Sequence, residues 1–312
     1  MIQAVDTATG LACAMPAQTV LCLGNFDGVH LGHQALIAAA KQMRDERFPA
    51  AALGIFCFRG LSSDWLAQEP PGHLTGEADR LAYFRAAGAE VAVLADFPAL
   101  RDTAPADFVR DILIRGCHCV AAACGFNHRF GRMGQGTPAL LGELLGGRVL
   151  VCPAVLAGGE PISSTRVRHL LLDGQPDAAA ALLGHPFALT AAVTHGAQLG
   201  RTIGIPTINQ RFPALALIPK TGVYYTVCTV GGAEYAGVTD VGTRPTVDGA
   251  HEVRCETNLL DFSGDLYGAT VKTSFLRYLR PEKKFASVDA LRAQIEHDRS
   301  VVRALWEQAE NT

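Results

Sequence analysis

The stretch Leu21-Cys-Leu-Gly-Asn-Phe-Asp-Gly-Val-His-Leu-Gly-His33 decides the fold. A short apolar run stops at Gly24, and a glycine-punctuated loop follows. From Gln34 the chain turns amphipathic, with Leu36, Ile37, Ala40 and Met43 on one face and Lys41, Arg44 and Glu46 off it. The order is therefore strand, loop, helix. His30 and His33 stand three residues apart at the mouth of the helix and project the same way. The free amides and positive dipole end of a helix favour an anion there. Glycines 24, 28 and 32 let the backbone approach a bulky ligand. Zinc is a poor reading of the two histidines, because no cysteine or carboxylate cluster stands around them at ligand spacing.

Outward from this loop, the first half alternates short apolar runs (19–23, 51–56, 90–94, 119–124, 148–153) with helical patterns (34–47, 77–87, 105–115, 137–145). Strands alternating with helices imply a parallel, doubly wound sheet, whose ligands bind beyond the carboxyl ends of the strands. Two further helical pieces, 166–172 and 177–183, close this half. After Phe187 the pattern changes to consecutive Val-, Thr- and Tyr-rich runs with glycine turns between them. That pattern reads as an antiparallel sheet closing into a barrel. One long helix ends the chain, with Ser287 as its N-cap. The expected domains are 1–184 and 187–312, divided at Gly184–Pro186.

At 312 residues, nearly half of them apolar and 18% charged, the chain has material for two cores. A net charge of −3 argues against a nucleic-acid-binding surface. No apolar run reaches ~18 residues, so no membrane span is expected. The start, Met1 to Gly10, has no lysine or arginine and lacks the charged opening of a secretory signal, so the cytoplasm is the expected location. Nine cysteines, mostly inside apolar runs, read as buried reduced thiols.

A second motif, Ile162-Ser-Ser-Thr-Arg-Val-Arg168, opens another helix. Ser164 and Thr165 alone would read as caps. Arg166 and Arg168 in the first turn oppose the dipole by ~0.3–1 kcal/mol each unless an anion compensates. A triphosphate would compensate them.

The first motif looks like the His-x-Gly-His phosphate site of the nucleotidyltransferase superfamily. Together, Gly24–His33, Gly125-Phe-Asn-His-Arg-Phe-Gly131 with Gly134 and Gly136, and Ile162–Arg168 followed by Ala180–Gly184 resemble the bifunctional prokaryotic FAD synthetases. The resemblance implies a Rossmann-like FMN adenylyltransferase domain in the first half. His30 and His33 would contact the ATP phosphates, with Gly24, Asn25, Phe26, Asp27 and Gly28 as the ATP loop. Ser164, Thr165 and Arg168 would complete the ATP site, and Asn127 would lie beside the flavin and adenine pockets. One departure stands out. The family's Thr-Phe-x-Pro-His-Pro is replaced by Ile55-Phe-Cys-Phe-Arg-Gly60, where Arg59 offers a substitute phosphate-facing cation.

In the second half, His195-Gly-Ala-Gln-Leu-Gly-Arg-Thr-Ile-Gly-Ile-Pro-Thr-Ile-Asn209 places Gly196, Gly200 and Gly204 where main-chain amides can wrap phosphates. Thr207 and Asn209 offer neutral oxygens suited to Mg²⁺. An irregular hairpin would explain the glycines and Pro206. It leaves unexplained the polar pair at i and i+2, which share a face in extended chain. The motifs Gly222-Val-Tyr224, Val241-Gly-Thr-Arg-Pro-Thr246, Glu256-Thr-Asn-Leu-Leu-Asp-Phe262 and Leu279-Arg-Pro-Glu-Lys-Lys-Phe285 follow. They resemble the riboflavin kinase module of the same family, over nearly all of 187–298. That likeness makes Glu256 the general base and sets Arg244 and Arg280 near the flavin.

The resemblance implies FMN from riboflavin and ATP in the barrel, and FAD from FMN and ATP in the first domain, each with Mg²⁺. Two alternatives stay open at this point. One is a working kinase with a weak or degenerate adenylyltransferase, because of the altered 55–60 stretch. The other is a non-catalytic flavin or nucleotide sensor.

Overall fold

The computed structural model describes residues 2–6, 15–196, 204–245 and 251–310. The chain divides into two compact units, Met1–Ser164 and Thr165–Thr312.

The first unit is built on a six-stranded parallel sheet. Its strands are β1 (Gln3–Asp6), β2 (Thr19–Leu23), β3 (Ala52–Phe58), β4 (Val91–Ala95), β5 (Cys119–Gly125) and β6 (Val149–Cys152), in the spatial order β1-β4-β3-β2-β5-β6. The inner strands are almost continuously apolar because both faces are covered. Leu21, Leu23, Phe56 and Val93 pack on one face with Phe108, Leu113 and Leu141. Cys22, Ile55 and Leu94 pack on the other, with Ile37 of α1 (Leu31–Arg47) and Phe84 of α2 (Glu77–Ala86). The order runs outward in one direction from β2 through β3 to β4, and in the other from β5 to β6. The loop after β2 therefore emerges where the winding reverses, the usual place for a ligand in such a sheet.

The differences from the sequence expectation include the first strand and the start of the first long helix. Strand β1 is an additional edge strand, held to β4 in parallel register from Gln3↔Val91 to Asp6↔Leu94. Helix α1 begins at Leu31 instead of Gln34, because His30 caps it.

The second unit is antiparallel. Strands β7 (Leu156–Ala157) and β8 (Glu160–Pro161) form a small hairpin at the end of the first unit. Helices α3 (Ser164–Leu172) and α4 (Pro176–Leu183) follow. By contact, most of α3 and all of α4 group with the barrel: Lys220 donates its N–H to the Leu171 carbonyl at 3.1 Å. Strands β9 (Phe187–Ala192), β10 (Ile208–Arg211), β11 (Gly222–Val230), β12 (Ala233–Pro245), β13 (His251–Leu259) and β14 (Thr270–Arg280) run in the order β10-β13-β12-β11-β14-β9. A bridge between Thr194 and Asn209 joins the two edges and nearly closes the barrel.

Hydroxyls line part of the interior. Thr239 lies 2.7 Å from Thr226 and 2.8 Å from Thr257, and Thr273 donates to Gln210. On the outer face Val223, Tyr225, Val227, Ala236 and Val238 pack against Val302, Leu305 and Trp306 of the terminal helix α5 (Val288–Glu310). Ser287 Oγ accepts the Ala290 N–H and caps that helix as expected.

Candidate active sites

The loop between β2 and α1 is wound tightly. Phe26, Gly28 and Val29 all have left-handed backbone, with φ of 53°, 78° and 40°. For Phe and Val that conformation costs of order 1–3 kcal/mol each, so the surroundings must impose it. Phe26 and Val29 are buried in the core. The Asp27 carboxylate accepts the N–H groups of Leu74 at 2.9 Å and Thr75 at 3.4 Å. The Asp27 carbonyl accepts the Ser164 hydroxyl at 2.9 Å, and Thr75 Oγ1 accepts the Gly28 N–H.

Asp27 and Ser164, which the sequence placed at the ATP site, also fasten the loop through these groups. Phe26 lies beneath the histidines, its ring 5.0 Å from His33 and edge-on to Phe84. Asn25 is exposed, and Gly24 donates its N–H to Phe56.

His30 and His33 stack, with ring centroids 3.7 Å apart and planes 16° from parallel. His30 Nδ1 accepts the His33 N–H at 3.3 Å, so the imidazole itself caps the helix. In the neutral ring this acceptor role puts the proton on Nε2, which is left as a donor. Burial lowers the His30 pKa to about 4, and burial together with His30 lowers His33 well below the ordinary value. His33 Nδ1 is buried with no hydrogen-bond partner. The helix mouth therefore presents two neutral imidazoles. Gly32 lies close beside them, and a Cβ there would stand 3.1 Å from the His30 ring.

Asn127 is exposed on the turn after β5, next to the exposed Phe126. The glycine flap that follows is anchored by Phe130, whose ring covers Gly136 so closely that a Cβ there would fall 2.6 Å from it. Thr165 and the buried Arg168 lie on α3, in the second unit.

In the barrel, Asn209 of β10 pairs in register with Glu256 of β13, and Glu256 with Asp240 of β12. Asn209 is buried, and its Oδ1 has no hydrogen-bond partner. Thr207 is half-buried at the entrance to β10, where Asn258 Nδ2 donates to the Pro206 carbonyl at 2.7 Å and fixes the turn. Gly196 packs on the Asn209 side chain with no room for a Cβ, and Gly204 adopts φ 77°. Gly200 and the side chain of Arg244 lie outside the described residues. Arg280 is engaged: its guanidinium grips the Asp298 carboxylate of α5 at 2.7 Å, both side chains largely buried. Its expected place near flavin is accompanied by this fixed tie to the terminal helix.

A family model for FAD synthetase matches residues 13–166, and one for riboflavin kinase matches 183–306. The bifunctional riboflavin kinase/FMN adenylyltransferase of Bacillus subtilis is 33% identical over 290 residues, 91% of each chain. That of Escherichia coli K12 is 35% identical over 292 residues, 92% of each. The chain belongs to the bifunctional riboflavin kinase/FMN adenylyltransferase family. A crystal structure from Streptococcus pneumoniae, of a protein named there as a macrolide-efflux protein, superposes with a TM-score of 0.86 at 32% identity, covering 97% of this chain and 99% of that one. Among the described residues of this chain, no helix is long and apolar enough to cross a membrane.

Arg59, read from the sequence as a substitute phosphate-facing cation, here pairs with Glu77 through both carboxylate oxygens at 2.9 Å and with Asp6 at 2.7 Å. The sequence reading also passed over Arg80, which is buried under the same loop. Its spacing of four from Phe84, on one face of α2, was the available signal.

Proposed function

We propose that this chain makes FAD in two steps. The barrel phosphorylates riboflavin with ATP to give FMN and ADP. The parallel-sheet unit adenylylates FMN with a second ATP to give FAD and pyrophosphate. Family membership over nine-tenths of the chain supports both activities. The observation that carries the reading in the first unit is the stacked, neutral His30–His33 pair capping a helix N-terminus.

In adenylyl transfer an oxygen of the FMN phosphate attacks the α-phosphorus, the bond to the α,β-bridging oxygen breaks, and pyrophosphate leaves. No protein nucleophile is needed. His30, through Nε2–H, and His33 donate to phosphate oxygens as charge shifts toward the leaving group, so catalysis rests on alignment and electrostatics. Assignment of Ser164, Thr165 and Arg168 to the triphosphate, and of Asn127 to the flavin, rests on their sequence motifs.

In the barrel, Glu256 takes the proton of the ribityl 5′-hydroxyl as that oxygen attacks the γ-phosphorus and the bond to the β,γ-bridging oxygen breaks. A positioned base contributes ~10²–10⁴-fold. Asn209 Oδ1, buried and unpartnered, and Thr207 fit Mg²⁺, a hard cation that takes neutral oxygens alongside phosphate and water. When bound, the ion neutralises phosphate charge. The reading places the enzyme in the cytoplasm, where ATP is available and thiols stay reduced; the described cysteines are all free.

Purified protein incubated with ATP and Mg²⁺, once with riboflavin and once with FMN, tests the proposal by chromatography. FMN followed by FAD is expected from riboflavin, and FAD from FMN. FMN formation without FAD would leave only the kinase.

A further inference from the structure

Arg80 is 4% exposed and has no carboxylate within ion-pairing distance among the described residues. Glu77, one turn away on α2, commits its carboxylate to Arg59. The Arg80 guanidinium donates instead to three main-chain carbonyls: Asn25 at 3.2 Å, Phe58 at 2.9 Å and Arg59 at 2.8 Å. Its Nε–H is buried without a partner. A buried cation lacking a counter-charge is expensive, and dipoles alone compensate it only in part.

The three carbonyls mark where this charge sits. Asn25 follows the end of β2, Phe58 ends β3 and Arg59 follows it; β2 and β3 are adjacent central strands. The three carbonyl oxygens carry partial negative charge beside the loop that follows β2. Arg80 caps these three and adds a positive charge beneath the loop that carries His30 and His33.

We propose that Arg80 is a positioning residue for adenylyl transfer, fixing the Asn25 loop against the Phe58–Arg59 turn and supplying the buried positive charge that the ATP polyphosphate balances. The inference rests on the adenylyltransferase reading above. It assigns a further counter-charge for the nucleotide to α2, away from the His30–His33 and Ser164–Arg168 motifs.

The test is the KM for ATP in FAD formation from FMN, measured for wild type, Arg80→Gln and Arg80→Lys. Arg80→Gln keeps a donor and loses the charge; its KM should rise by about tenfold or more, with riboflavin phosphorylation by the same chain unchanged. Arg80→Lys keeps the charge and should stay within roughly threefold of wild type at pH 7. A buried lysine loses its proton more readily than a guanidinium. The KM of Arg80→Lys should therefore climb between about pH 7 and 9.5 while wild type stays flat. An unchanged KM in Arg80→Gln, or a Lys variant as flat as wild type, would overturn the proposal. If Arg80→Gln does not fold, the pH profile of Arg80→Lys decides alone. Absence of FAD formation by wild type would defeat the adenylyltransferase reading itself.

Discussion

His30 accepts the backbone N–H of His33 through Nδ1 while the two rings lie stacked 3.7 Å apart, so one imidazole both caps the helix and backs its partner. The two are coupled: charging either ring repels the other and breaks the cap. Burial lowers both pKa values, and the neighbouring His30 lowers that of His33 further.

Acid should therefore unfold the first unit early. A histidine with a lowered folded pKa binds its proton in the unfolded chain first, so stability is complete above about pH 6.5 and is lost as pH falls toward 4. The thermal midpoint of wild type should drop more steeply over this window than that of a His30→Gln, His33→Gln double variant. Parallel slopes would contradict the coupling.

On the proposed mechanism, His33→Ala removes a donor to the phosphates. Losing one such group typically lowers the rate by about 10²–10³. FAD formation from FMN should fall by that order, with riboflavin phosphorylation intact. A kinase loss of similar size would point to general damage.

The contribution of Asp27 is structural and separable from charge. Asp27→Ala leaves the Leu74 N–H buried without its acceptor, at a cost of ~1–3 kcal/mol. Asp27→Asn keeps an acceptor oxygen and should lose less. Denaturant unfolding of both variants checks the ranking; equal losses would mean that the carboxylate charge matters more than the two hydrogen bonds.

Asp298→Ala strips the buried Arg280 of its partner. Removing one member of a buried pair costs about 3–5 kcal/mol, so the barrel unit should melt markedly earlier. Calorimetry would show that shift, and a change below ~1 kcal/mol would place the pair among surface ion pairs of little weight.

The periodic parts of the fold were legible in the sequence. Apolar runs such as Val20–Leu23 and Val91–Leu94 are buried on both faces and read as strands, and the run of glycine-punctuated strands after Phe187 read as a barrel. Strand β1 was not, because Gln3 and Ala4 are exposed and only pairing with β4 makes the segment extended. Strand β10 was hidden inside a motif read for its chemistry, Pro206-Thr-Ile-Asn209. In the site, the helix-mouth histidines were visible from spacing alone. The fastening of Asp27 was not: its acceptor geometry depends on Leu74 and Thr75, 47 and 48 residues away. The ion pairs of Arg59 were hidden for a similar reason, since Asp6 and Glu77 come to it only through the sheet and α2.

The central claim is that two chemistries run at two separate sites of one chain. Glu256→Gln tests it most directly, assayed by chromatography with ATP and Mg²⁺ from riboflavin and, separately, from FMN. The account predicts almost no FMN or FAD from riboflavin and undiminished FAD from supplied FMN. Equal loss of product from both starting flavins would contradict it.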